Sequence, residues 1–265
     1  MEKVPTGFPE LPLTPAEGKK IYFASDFHLG VPDAESSRLR EERIIRWLDD
    51  SAEDAAAVFL VGDLFDFWFE YKRAVPKGFV RFQAKLAELT DGGIPVHLFT
   101  GNHDLWMFGY LTDELGVSIH HQPLVLQTGA HRILIGHGDG LGPGDRTYKV
   151  LKKVFTSPVA QFLFRSIHPD LGIRLAQRWS RSSRLANQQK AEQFKGEDRE
   201  FLLAWCRETE NIRHHDFYIF GHRHLPLDLA VNGRSRYINL GEWVHFNTYA
   251  EYDGTNVQLK TFHHG

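Results

Sequence analysis

Five short polar clusters hold the residues of this chain best suited to binding metal or moving protons. They read "DFH" at 26–28, "GD" at 62–63, "GNHD" at 101–104, "GHGD" at 136–139 and "GHRH" at 221–224. In an extended segment, residues i and i+2 lie on one side, so Asp26 with His28, and His222 with His224, can each offer two ligands to one place. Glycine lets the backbone leave a strand and turn sharply, and "TGNHDLW" reads as such a turn. Imidazole, carboxylate and amide oxygen together suit divalent transition ions better than calcium or a thiolate zinc site. Asp26, His28, Asp63, Asn102, His137, His222 and His224 are more ligands than one ion can use. Two ions are therefore expected, with Asp63 between them.

A single Asp or His after a strand is ordinarily a turn former or a solvated group. Five such ends in one chain, each carrying ligand types, argue for convergence on one site. Asp66, Trp68, Asp104 and Asp139 flank the ligands and could orient them or simply pack and cap. The chain has 15 histidines. His120, His121, His131, His214, His215, His263 and His264 fall outside the clusters and read as surface residues.

Each cluster follows an apolar run: "KIYFASD", "AAAVFLVGD", "IPVHLFTGNHD", "RILIGHGD" and "DFYIFGHRH". Helical patterns, "SSRLREERIIRWLDDSAED" and "GFVRFQAKLAELTDGG", separate the first three. Strands alternating with helices predict an α/β layered fold, in which ligands bind beyond the carboxyl ends of the strands. Residues 1–19 read as an irregular arm. From "LPLDLAVNG" onward the tail returns to short strand-like pieces. A net charge of -3 gives no basic field of the kind a nucleic-acid partner needs. Cys206 is the only cysteine, which excludes an intrachain disulfide and fits a reducing compartment. The first residues do not resemble a secretory signal, and no apolar run approaches the ~20 residues of a spanning helix. A cytoplasmic protein is expected.

The stretch from Arg146 to Lys195 differs from the rest. It is helical in pattern and rich in Phe, Leu and Trp. Lys149, Lys152, Lys153, Arg165, Arg174, Arg178, Arg181, Arg184 and Lys190 face only Asp170 and Glu192. Such a segment can form a solvated cap, lie on an anionic bilayer surface, or wall an apolar groove for acyl chains. The expected organisation is one domain over 1–265, with 141–200 as a basic amphipathic helical insertion.

The ordered set D-x-H, GD, GNHD, GH and GHxH resembles the signature of the calcineurin-like metallophosphoesterases. The resemblance implies an α/β sandwich of two β-sheets flanked by helices, with a dimetal site at the strand ends. It places one ion on Asp26, His28, Asp63 and His224, and a second on Asp63, Asn102, His137 and His222. A hydroxide bridging the two would attack phosphorus in line, and paired ions would neutralise charge on the phosphoryl oxygens. "GDLFDFW", "HGDGLGPGDRTYK" and "RLAQRWSRSSRLANQQK" are similar to segments of one branch, the UDP-2,3-diacylglucosamine hydrolases of lipid A biosynthesis. That likeness implies substrate contacts from Asn102, His103, Asp145, Tyr148, Ser183, Asn187, Lys190 and His222. It also implies Mn²⁺ as cofactor, a UDP-linked diacylglucosamine lipid as substrate, and a position on the cytoplasmic face of the inner membrane.

His103 departs from the branch, whose best-known members carry Arg there, and agrees with the wider family. A His paired with Asp104 could protonate an alkoxide leaving group, whereas a departing phosphate needs only positive charge, which Arg supplies permanently. His103 and Asp104 are therefore the expected catalytic pair. A general phosphoesterase acting on nucleotides, diesters or phosphoproteins is the alternative. A non-catalytic scaffold is disfavoured by the complete ligand set.

Overall fold

The computed structural model describes residues 7–143, 146–178 and 193–263. Its architecture follows from how apolar residues alternate along the strands. In β2 (Lys20–Ala24), β3 (Ala55–Val61) and β4 (Val96–Phe99), successive side chains are buried on opposite faces. Tyr22, Val58, Leu60 and Leu98 pack with Ile44, Trp47, Phe82 and Leu86 of the helices, while Phe23, Phe59, Val61 and Phe99 face the other way. A strand buried on both faces belongs to a sheet covered on both sides.

These strands run parallel with β5 (Ser118–His120), and β11 (Thr248–Tyr252) with β12 (Val257–Thr261) completes the sheet in the order β12-β11-β2-β3-β4-β5. The second sheet has the order β1-β6-β7-β8-β10-β9. Its strands are β1 (Glu10–Pro12), β6 (Leu124–Gln127), β7 (Arg132–Gly136), β8 (Phe217–Phe220), β9 (Pro226–Ala230) and β10 (Arg236–Leu240). Ile133, Ile135, Ile219 and Ile238 meet the first sheet's Phe23 and Phe59 in the middle of the molecule. Burying each such side chain contributes roughly 1.5–3 kcal/mol.

Helices α1 (Ala34–Ala52), α2 (Val80–Asp91) and α3 (Tyr110–Leu115) lie on the first sheet, and α7 (Phe201–Glu210) covers the second with Leu202, Leu203 and Trp205. The layers run helix, sheet, sheet, helix, as the sandwich expectation required. Asp33 caps α1 by accepting from the Ser36 N–H at 2.8 Å. The insertion contributes α4 (Arg146–Phe155), α5 (Pro158–Arg165) and a helical stretch, α6, over 169–178.

Two expectations are corrected. The arm is not wholly irregular, because Glu10–Pro12 pairs in parallel with β6 as an edge strand. Three residues are too few to show an alternating pattern, and the pairing comes from the open edge of β6. Pro12 is tolerated there because an edge strand can spare a donor. His215 is not a surface residue. It is buried, with Nδ1 3.2 Å from the Tyr218 hydroxyl.

His97 is also buried, stacked on Phe59 and 3.1 Å from the His120 ring. Burial, then repulsion from His120, lowers its pKa from 6.5 to about 4. The unfolded imidazole takes its proton near 6.5 and the folded one only near 4, so stability is full above that window and falls as pH drops through it. His97→Phe is expected to flatten this acid slope, and denaturant titrations at pH 7 and pH 5 check it. An unchanged slope would contradict this reading.

Candidate metal centre

The ends of β2, β3 and β4 in one sheet, and of β7 and β8 in the other, point to the same rim of the sandwich. The loops that leave them are interlocked by backbone hydrogen bonds. The Asp26 N–H donates to Gly62 O at 3.0 Å, His28 N–H to Asp63 O at 3.0 Å, and Gly221 N–H to His137 O at 3.1 Å. All seven expected ligands converge here.

They fall into two clusters. Asp26, His28, Asp63 and His224 each place one donor atom within 4.8 Å of the others. His28 Nε2 lies 3.1 Å from His224 Nε2, which is 3.2 Å from Asp26 Oδ1. The second cluster is linked through Asn102, whose Oδ1 is 2.9 Å from His222 Nδ1 and 3.3 Å from His137 Nε2. His137 Nε2 is in turn 3.4 Å from Asp63 Oδ2. Asp63 is common to both. The His137 Nδ1–H donates to Val61 O at 2.8 Å, which turns Nε2 toward the cluster.

Two observations fit a cation. Asp26 Oδ1 and Asp63 Oδ2 are buried and accept no hydrogen bond among the described residues, a costly state for a carboxylate unless a positive charge sits against it. The backbone is also held against its preference. Asp26, His28, Asp63, His222 and His224 all have φ between 45 and 68°. The left-handed region costs a non-glycine residue roughly 1–2 kcal/mol, and such strain gathers at functional sites. Among the described residues, most non-glycine residues with positive φ are expected ligands.

Charge in the cluster is unevenly distributed. Burial works against a charged His137, but the Asp63 carboxylate outweighs it and lifts that imidazole to about 10. His222 is driven down to about 4, by burial and then by His137. Burial opposes ionisation of Asp63, yet His137 and His103 hold its carboxyl well below the usual range.

The glycines matter for a reason beyond turning. A Cβ on Gly101 would sit 2.2 Å from Asp63 Oδ1, and one on Gly221 would sit 2.4 Å from Asp26 Oδ2. Neither has a positive φ, whereas Gly62 does. Gly101 and Gly221 are needed because the carboxylate of a neighbouring loop fills the space a side chain would take.

Asp104 is placed differently from its expected role. Its buried carboxylate accepts from the backbone N–H of Gly101 at 2.7 Å and Leu64 at 2.8 Å, with Asp63 N at 3.3 Å and Phe65 N at 3.4 Å. It staples the "GD" and "GNH" loops together, and does not orient His103. Burial, then the nearby Asp63 charge, pushes its carboxyl up to about 7. The carboxylate beside His103 is Asp66. His103 Nδ1 lies 3.1 Å from Asp66 O and 3.6 Å from Asp66 Oδ1. Asp104→Ala is expected to cost about 3 kcal/mol or more, because it leaves buried N–H groups without their acceptor. Denaturant unfolding measures this, and a loss under 1 kcal/mol would refute the staple.

Of the expected substrate contacts, Asp145, Ser183, Asn187 and Lys190 lie outside the described residues. The Tyr148 hydroxyl donates to Asp139 Oδ2 at 2.5 Å, and the Lys152 ammonium reaches the same oxygen at 2.6 Å. This ties α4 to the loop that carries His137. The insertion is fastened a second time at "TGNHDLW", where Trp106 Nε1–H donates to Phe155 O at 2.9 Å and the indole stacks on Phe164. Phe67 and Phe69 complete that aromatic seat, so the stretch from Asp63 to Phe69 supplies both a ligand and a platform. Reading by motif missed Trp106 as an anchor, and it missed the Glu200–Arg223 ion pair at 2.9 Å, whose partners are far apart in sequence.

Comparison with known proteins identifies the family. The calcineurin-like phosphoesterase family model matches residues 19–226. A UDP-2,3-diacylglucosamine hydrolase from Porphyromonas gingivalis is 36% identical, over 91% of this chain and 97% of its own length. Another so named, from Bordetella pertussis, is 32% identical over 82% of each chain. Among solved structures, Yfce, a phosphoesterase from E. coli, aligns with a TM-score of 0.46 at 16% identity, covering 91% of this chain and 92% of its own. The chain belongs to the calcineurin-like phosphoesterase family, a family of hydrolases, and within it stands with relatives named UDP-2,3-diacylglucosamine hydrolase.

Proposed function

We propose that this protein hydrolyses the diphosphate of UDP-2,3-diacylglucosamine to UMP and 2,3-diacylglucosamine 1-phosphate. The observation that carries the reading is the pair of ligand clusters sharing Asp63 on the rim beside the basic, apolar insertion. The relatives' names supply the substrate. Asp26, His28, Asp63 and His224 would hold one divalent cation, and Asp63, Asn102, His137 and His222 a second, with Mn²⁺ the expected ion. Bound cations there supply a water of lowered pKa and charge neutralisation at phosphorus.

The chain's own residues do the rest. Asn102 and His222 fix the phosphoryl group at the second cluster. His103, ring edge-on to His28 and flanked by Asp66, faces the departing phosphate with a positive charge or a proton. The P–O–P bridge breaks as water adds to one phosphorus, and the released phosphate oxygen leaves as an anion already stable in water.

The lipid would be taken at a membrane surface. Val150, Val154, Val159, Phe162, Leu163, Leu171 and Leu175 of the insertion are exposed. Lys and Arg residues lie between them, the pattern of a segment that rests on an anionic bilayer. No helix among the described residues is long and apolar enough to cross a membrane, so the proposed association is peripheral, on the cytoplasmic face.

Incubating the protein with the UDP-lipid and Mn²⁺ is expected to release UMP. No UMP, with rapid turnover of a soluble aryl phosphodiester, would overturn the assignment. His103 and the neighbouring Asp66 favour that second reading, a broader phosphoesterase, because an imidazole can protonate an alkoxide.

A further inference from the structure

We infer that Glu200 and Arg223 form a positioning pair that sets the placement of His222 and His224, and through them how tightly the centre holds its cations. This rests on the reading of both histidines as ligands. Arg223 stands between them in sequence. Its Nε–H donates to both carboxylate oxygens of Glu200, at 3.1 and 2.9 Å. The Glu200 side chain is 2% exposed and that of Arg223 13%.

Three features make this more than an ordinary ion pair. First, the turn it holds is strained: His222 and His224 have φ of 68 and 55°, and Arg223 N–H closes back on Gly221 O at 2.8 Å. A turn in a disfavoured conformation persists only where its surroundings over-determine it. Further restraints act on the residues around Arg223. The His222 N–H donates to Asp26 Oδ2 at 3.0 Å, and the Asn239 amide donates to Gly221 O. Glu200 supplies a side-chain restraint on the residue between the two histidines.

Second, Glu200 occupies the N-cap position of α7 but does not cap it with its side chain. A carboxylate there would ordinarily serve the helix's own free N–H groups. This one is directed to Arg223. Third, removing Arg223 leaves the buried Glu200 carboxylate without the cation that faces it, right beside the strained turn. Residues that orient metal ligands without touching the metal typically change metal affinity by about 10–100-fold when lost.

The test is a Mn²⁺ titration of the full chain, by calorimetry or chelator competition, alongside the melting temperature of the cation-free protein. The parent is expected to take up Mn²⁺. Glu200→Gln is expected to raise the half-saturating concentration about tenfold, and Arg223→Lys, which keeps the charge, to raise it less than Arg223→Gln does. A half-saturation within twofold of the parent in Glu200→Gln overturns the inference. So does a lowered cation-free melting temperature with an unmoved titration, which marks a pair needed only for folding. If Glu200→Gln does not fold, the two Arg223 variants carry the comparison, and equal affinities there also overturn it. A parent that binds no Mn²⁺ brings down the reading of the site itself, and the pair's role with it.

Discussion

Asp63→Asn is expected to fold as the parent does and to lose UMP release by at least about a thousandfold. The amide oxygen can still accept from the His103 N–H, now 2.8 Å from Asp63 Oδ1, so the loop connection survives. What disappears is the charge common to both ligand clusters. Cation assistance to phosphoryl chemistry is worth several kcal/mol, and each 1.36 kcal/mol is a decade in rate. The cation-free protein carries a second signature. The Asp63 carboxylate is what raises His137 to about 10 against the opposing effect of burial. In Asp63→Asn that imidazole is expected to titrate far lower, which proton NMR of the ring resonances reads directly. Turnover within tenfold of the parent would show that Asp63 is not shared between two ions.

His103→Arg is expected to keep most UMP release while losing activity toward an aryl phosphodiester by about a hundredfold, the lower range for a lost general acid. The two leaving groups differ in need. A phosphate departs as a stable anion and requires only positive charge, which guanidinium provides. An alkoxide or phenoxide gains from a proton, which guanidinium does not release. Cation content should stay near that of the parent, because His103 lies outside the proposed ligand sets although its ring centre is 5.1 Å from that of His28. Asp66→Asn should move in the same direction by a smaller factor. If His103→Arg empties the site of cation, the division between ligand and proton donor is wrong. If both substrates fall equally, His103 acts by position alone.

The ligands were legible because each is tied to a local rule. An apolar run followed by Gly and a polar donor marks a strand end, and an α/β sheet gathers its strand ends. The roles of neighbouring polar residues were not legible. Asp104 and Asp66 are both carboxylates near His103, and only the fold shows that one staples backbone while the other flanks the ring. Spatial needs are equally hidden. "GN" and "GH" look like turn glycines, but the clash a Cβ would meet at Gly101 or Gly221 comes from residues in another loop. β1 was invisible for a related reason, since its pairing is a property of β6. Glu200 and Arg223 left no pattern because the spacing between them carries no periodicity.

The "GHRH" loop is the last of the five to leave the ribosome, and it completes both clusters at once, giving His224 to one and His222 to the other. A nascent chain that has emerged only through His137 can therefore offer each cation no more than three of its four side chains. The first sheet is open at that stage as well, because β2 acquires its outer neighbour only when β11 arrives. Domains tend to fold as units during synthesis, and here the unit cannot close until its final strands are made. On the proposed ligand sets, each cation gains its fourth side chain only once residues 221–224 are made, and a chain stalled before residue 221 is expected to hold cations more weakly and to lose turnover of phosphate esters.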